Sequence, residues 1–244
     1  MKDLQSQINI FTENFDQAVE YDGLTAVSHR YRSWEYCRMA FLKYKDGLPK
    51  NGIQEAVAVD ALALHLAFYL ASWGMYRGSS FLLRYDYKIH VPAVRWLLDV
   101  RYHELFDGYL YQTNPQKYLE LLFGETGIIE KLEGYFKACR RVIKGGDNEE
   151  VSATLITKIL MGVYGCIPAY DRYFIDGLGA SNIQKKFSVR GVKALLAAIQ
   201  EYSQEINLTV KVLNKKFANV YTPMKVVDMY YWGKGKALDG EDVE

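Results

Sequence analysis

The segment TKILMGVYGCIPAYDRYF, residues 157–174, holds the side chain best suited to chemistry, Asp171, and a candidate pocket residue, Lys158. Lys158 lies inside an apolar helical run that Gly165 ends in the usual way for a helix C-terminus. Pro168 forces Ile167 into an extended conformation. Asp171 then opens a short second helix, RYFIDGLG. A carboxylate held between two helix ends, beside Tyr170, can stabilise developing positive charge or activate a water molecule. Asp171 also occupies an N-cap position, where aspartate is common. The two roles are compatible.

A second group of candidates lies in the most apolar stretch of the chain. His65, Tyr69, Ser72 and Tyr76 recur at steps of four, three and four, a polar-tipped stripe on an apolar cylinder. Such tips either satisfy one another inside a core or line a pocket. Immediately afterwards come Trp73, Arg77, Gly78, Ser79, Ser80 and Lys88. Arginine, small hydroxyls and a permissive glycine can hold an anion; they equally make an ordinary helix-to-helix turn with a capping serine. Further on, residues 181–236 carry ten lysines and arginines against three acids, a local charge of +7. Lys185, Lys186, Arg190 and Lys193 in that stretch are candidate phosphate contacts, with a solvated face as the plainer reading.

Several chemistries lack their signatures. There is no GxxxxGK[ST] loop, no GxGxxG after a strand and no GxSxG elbow. His29, His65, His90 and His103 show no zinc-ligand spacing. No metal and no cofactor is expected. Cys37, Cys139 and Cys166 are odd in number and far apart, which suits a reducing, cytoplasmic compartment. The first residues lack the basic-then-apolar pattern of a signal peptide. The run ALALHLAFYLASWGM has fifteen residues, short for a bilayer, so no membrane association is expected.

Helices must position these residues. The chain has 244 residues, is half hydrophobic and carries a formal net charge of +1. Leu4, Ile8, Phe11, Phe15 and Val19 predict an amphipathic helix over 4–20, and Trp34, Cys37, Phe41 and Tyr44 predict another. Residues 54–76 are apolar nearly all round, as a central helix would be. Further helices follow Pro92 and Pro115, and others are expected near 126–143, 149–164 and 188–205 and after Pro223. INLTVKVL alternates like a strand without an identifiable partner. The prediction is an all-α protein of about ten helices, one compact unit of two packed lobes. The lobe boundary is expected near 144–150, and the acidic tail over 238–244 is expected to fray.

The order helix, glycine, apolar link, aspartate, helix resembles the segment carrying the catalytic aspartate in the helix-hairpin-helix superfamily of DNA base-excision glycosylases. It is most similar to divergent bacterial oxoguanine-glycosylase-like members, where a Ser/Thr-Lys-apolar helix leads to Pro-x-x-Asp. TKIL and IPAYD are the matching pieces, and the likeness covers about thirty residues near 150–180. The resemblance implies two helical lobes with DNA between them, Asp171 as the catalytic carboxylate, and hydrolysis of the N-glycosidic bond of a flipped base. Lys158 lies too close to Asp171 to match the Schiff-base lysine of bifunctional members, so a monofunctional enzyme is implied. The Leu-Pro-Gly-Val-Gly hairpin of the superfamily is absent from the chain. Beside this stand a non-catalytic helical module that binds nucleic acid or protein, and a small-molecule pocket built from His65, Tyr69, Ser72 and Arg77.

Overall fold

Capping side chains start many of the helices, and apolar spacing decides which face each one buries. The computed structural model describes the whole chain except residues 2, 14, 16, 27–28, 145–149 and 240–244 and the side chain of Lys144. In chain order the elements are α1 (Leu4–Thr12), a hairpin of β1 (Val19–Tyr21) and β2 (Leu24–Ala26), α2 (Ser33–Leu42), α3 (Gly52–Ser72), α4 (Val91–Leu97), α5 (Leu110–Thr113), α6 (Pro115–Phe123), α7 (Ile128–Lys144), α8 (Ala153–Tyr164), α9 (Arg172–Gly179), α10 (Val189–Ile199), α11 (Ser203–Lys216) and α12 (Pro223–Leu238). The protein is all-α. Asn51, Asn114, Ser152, Asp171, Ser188 and Thr222 each accept a hydrogen bond from a first-turn amide of α3, α6, α8, α9, α10 and α12.

Four local readings change. The first helix stops at Thr12, and Val19 falls instead in β1, with Val19 opposite Ala26 and Tyr21 opposite Leu24. Asp22 and Gly23, at φ 52° and 75°, supply the paired positive dihedrals that a two-residue hairpin turn needs. Asp99 breaks the helix expected through 92–106: its carboxylate accepts from the Arg101 amide and guanidinium, and Val100–Phe106 winds as 3-10 helix. INLTVKVL is helical, within α11. Ile206, Thr209, Val210 and Leu213 are its buried residues, at steps of three, one and three, whereas Leu208 and Val212 are exposed.

The fourth change concerns the centre of the molecule. α3 is half-buried, packed on α2, α4 and α8, and it turns Ile53, Val57, Leu64 and Phe68 outward. Its full 21 residues make it the one helix, among the described residues, long and apolar enough to cross a bilayer by length and composition. The central positions belong to α8 and α12. Every residue of α8 from Leu155 to Tyr164 is buried, as are Pro223 through Gly233 of α12.

One continuous core joins residues from Met1 to Trp232. Most of the expected lobe boundary at 144–150 and of the 238–244 tail lies outside the described residues. α9 and α12 pack backbone against backbone, and glycine permits it. A Cβ at Gly177 would run into the Tyr231 carbonyl oxygen, and one at Gly235 into that of Tyr173. This crossing fixes the start of α9, and Asp171 with it, against α12.

Candidate functional site

The link between α8 and α9 is buried from Gly165 to Tyr170, so its polar main-chain atoms need partners. Gly165, at φ +58°, ends α8, and its carbonyl accepts from the Thr222 hydroxyl at 2.6 Å. The Tyr118 hydroxyl donates to the Cys166 carbonyl at 2.9 Å. Asp228 accepts from the Ala169 amide at 2.8 Å. Two threonines of α8 then fasten Tyr170: Thr157 Oγ1 accepts from its amide at 2.9 Å, and Thr154 Oγ1 donates to its carbonyl at 2.8 Å. Asp171 is the next residue. Its position is therefore set by side chains from α6, α8 and α12.

Asp171 uses both carboxylate oxygens. One accepts from the Phe174 amide at 3.1 Å, capping α9, and the other lies 3.4 Å from Lys158 Nζ. Their side chains are 15% and 6% exposed, so the pair is nearly dry. Burial pushes the Asp171 carboxyl above its ordinary range, against the pull of Lys158, and the neighbouring Asp228 pushes the same way. Burial likewise lowers the Lys158 ammonium, against Asp171. Lys158 also donates to the Trp73 carbonyl at 2.8 Å.

A second buried pair lies behind the first. Lys225 Nζ donates to Asp228 at 2.8 Å and stands 4.6, 5.1 and 5.2 Å from the ring centres of Phe11, Trp34 and Trp73. A cavity of about 10 Å³ separates the two pairs, with Tyr69 and Trp232 also on its wall.

In front of Asp171 opens a cleft of about 1130 Å³. One side comes from the end of α3 and the turn after it, with Trp73, Tyr76 and Arg77, together with Arg30 and Tyr31. The other comes from α9 and α12, with Arg172, Tyr173, Trp232 and Lys236. Tyr31 stacks on Trp73, ring centres 4.8 Å apart, and Trp73 meets Trp232 edge-on at 6.5 Å. Arg77 folds back over Gly74, whose φ of +76° lets the chain turn tightly after α3.

The residues singled out in the sequence divide accordingly. Ser72, Trp73, Arg77, Lys158 and Asp171 all line the cleft. Tyr69 is behind it, lying across Gly162 of α8. His65 is exposed, and it is absent from the lining of either cavity. The Tyr170 ring is buried against Phe174 and Phe187, at 5.0 Å from each, so this residue serves the site through its main chain. Lys185, Lys186, Arg190 and Lys193 are exposed outside the cleft, where Lys185 lies against Gly179 at the far end of α9. Among the described residues, no three His, Cys, Asp or Glu side chains come together as metal ligands do.

Lys225, Asp228, Trp232 and Lys236 were readable in principle, since steps of three, four and four put them on one face of α12. Arg30 and Tyr31 carry no such periodic signal. Neither a protein-family model nor a curated protein nor a solved structure matches the chain.

Proposed function

We propose that this protein is a DNA-glycosylase-like hydrolase that receives a displaced base in the cleft, with Asp171 acting on the N-glycosidic bond. The supporting observation is the nearly dry Asp171–Lys158 pair at the base of a cleft walled by aromatic rings, with Lys236 in the wall and Arg30 and Arg77 on the rim. In the reaction the C1′–N bond breaks, and its electrons leave with the base, which takes up a proton. Water adds to C1′ and gives up a proton. Positive charge builds on the sugar as the bond lengthens, and a fixed carboxylate in a water-poor site stabilises that charge strongly. Lys158 pulls the Asp171 carboxyl down against the effect of burial and holds it in place. The rings give a flat base its stacking surface, and the cations neutralise phosphate.

The test is base release from oligonucleotides carrying a panel of damaged bases, comparing wild type with Asp171→Asn. Release by wild type and none by the variant is the expected result. Retained activity in the variant leaves Asp171 as a helix cap alone. A second reading, a nucleic-acid-binding module without chemistry, is favoured by one observation: both oxygens of Asp171 already have partners, in Phe174 and Lys158. That reading predicts binding of the same oligonucleotides with no base released by either protein.

A further inference from the structure

Five aromatic residues line the cleft, and four of them, all but Tyr76, have a cation beside the ring. Arg30 stands 5.1 Å from the Tyr31 ring centre, and Arg172 stands 4.6 Å from that of Tyr173. Lys236 is 5.5 Å from the Trp232 ring, and Lys158 is 5.8 Å from the Trp73 ring. The pairs come from separate parts of the chain and meet across one opening. Ring and charge therefore stand side by side in the walls, with Lys158 also paired to Asp171 and Arg172 to Asp239.

We infer that the cleft takes its nucleic acid as an unpaired strand. This rests on reading the cleft as a nucleic-acid site, and it names the form of the substrate. An unpaired strand presents the counterpart of these walls, a flat base face beside each phosphate, and sites for single strands combine stacking platforms with backbone cations. A duplex presents phosphates and base edges on its outside, but its base faces are stacked on one another. Its recognition calls for a cationic plateau beside the site, with rings reserved for one displaced base. The exposed cations of 185–193 lie outside the cleft lining, and the cations inside it are interleaved with rings. The volume points the same way. A cleft of about 1130 Å³ has room for more than one base.

The experiment measures fluorescence-anisotropy affinities of wild-type protein for one end-labelled oligonucleotide, alone and annealed to its complement, at about 50 and 200 mM salt. Both forms are also assayed for base release. The single strand should bind at least about tenfold tighter, the scale of losing one stacking contact in the duplex. Trp232→Leu should remove most of that preference. Because Trp232 also packs in the core, Arg77→Glu at an exposed position is the second variant. It should weaken single-strand binding and make the salt dependence shallower by about one phosphate contact.

Equal or tighter binding of the duplex overturns the inference, as does no binding of either form. The hydrolase reading fails separately. Base release with duplex-preferring binding keeps that reading and removes the unpaired strand. Tight single-strand binding without base release does the reverse.

Discussion

Lys158 Nζ donates to the main-chain carbonyl of Trp73 at 2.8 Å, so the lysine that pairs with Asp171 also closes the C-terminal end of α3. A cation is favourable there, because the last carbonyls of a helix carry its partial negative charge. The carboxylate of the site and the ring that walls it thus share a single anchor. Disturbing one disturbs the other.

The first prediction concerns that pair. Asp171→Asn preserves the cap on α9, since asparagine caps about as well, but it leaves Lys158 buried without its counter-charge. Urea unfolding should show a loss of about 3 kcal/mol, the scale of breaking a buried pair from one side. Adding Lys158→Met should recover part of that loss without restoring any base release. A loss below about 0.5 kcal/mol in the single variant would mean that the two charges are uncoupled.

Arg38 offers a test of how the segments around the link are held. Its guanidinium is buried and donates to the carbonyls of Val220 at 2.9 Å, Val163 at 3.0 Å and Phe106 at 3.4 Å. Burial pushes it down to about 10, and these carbonyls are all the partners its hydrogen bonds have among the described residues. Arg38→Met strips three buried acceptors at once and should cost at least about 3 kcal/mol, at roughly 1 kcal/mol or more for each. Arg38→Lys should recover little, because an ammonium cannot reproduce the planar fork. Thermal unfolding of both variants checks this.

A third prediction uses the glycine crossing. Gly177→Ala and Gly235→Ala each drive a methyl group into a carbonyl oxygen of the facing helix, and each should destabilise by about 3 kcal/mol or more. Gly134 is the control. It is exposed within α7, and an added Cβ there meets nothing within 4 Å. Gly134→Ala should stabilise by about 0.5–1 kcal/mol through helix propensity.

The acid limb of stability should be governed partly by His90. Its ring is fully buried, its Nε2 lies 2.7 Å from the Tyr76 hydroxyl, and burial pushes it down from 6.5 to about 4. The unfolded chain therefore takes up a proton before the folded one does. Stability due to neutral His90 is complete above pH 6.5 and is lost as pH falls through the folded value near 4, in all on the order of 3 kcal/mol. Asp171, raised by burial, acts in the opposite direction as it protonates. Urea midpoints at about pH 7, 5.5 and 4.5 should fall in wild type and fall less in His90→Gln. Parallel curves for the two proteins would remove His90 from the account.

The helical character of the chain was legible because it rests on local spacing, and so was the helix–link–aspartate segment. What could not be read depended on distance along the chain. Trp73 meets Lys158 across 85 residues, and Ala169 meets Asp228 across 59. Composition misdirected the choice of central helix: α3 is the more apolar, yet α12, with Lys225, Asp228 and Lys236 in it, is the more buried. Its charges can be interior because Lys225 and Asp228 neutralise one another, while Lys236 lies over the Trp232 ring. The hairpin had a readable Asp-Gly turn, and its neighbouring apolar residues also fitted a helical period. Alternation over INLTVKVL failed because β-branched residues also fit a helix whose burial comes at steps of three and four.

The distribution of indole rings has an optical consequence. Of the four tryptophans, Trp73 and Trp232 face the cleft and Trp34 packs beneath it on Lys225, whereas Trp96 lies elsewhere, between Lys131 and Tyr135. Three of the four indoles therefore sit at or under one opening, with a single remote ring as background. A flat ligand stacking on Trp73 or Trp232 should quench intrinsic emission, and Trp96→Phe should increase the fractional change. The molecule carries its own reporter of occupancy, readable before any ligand is labelled.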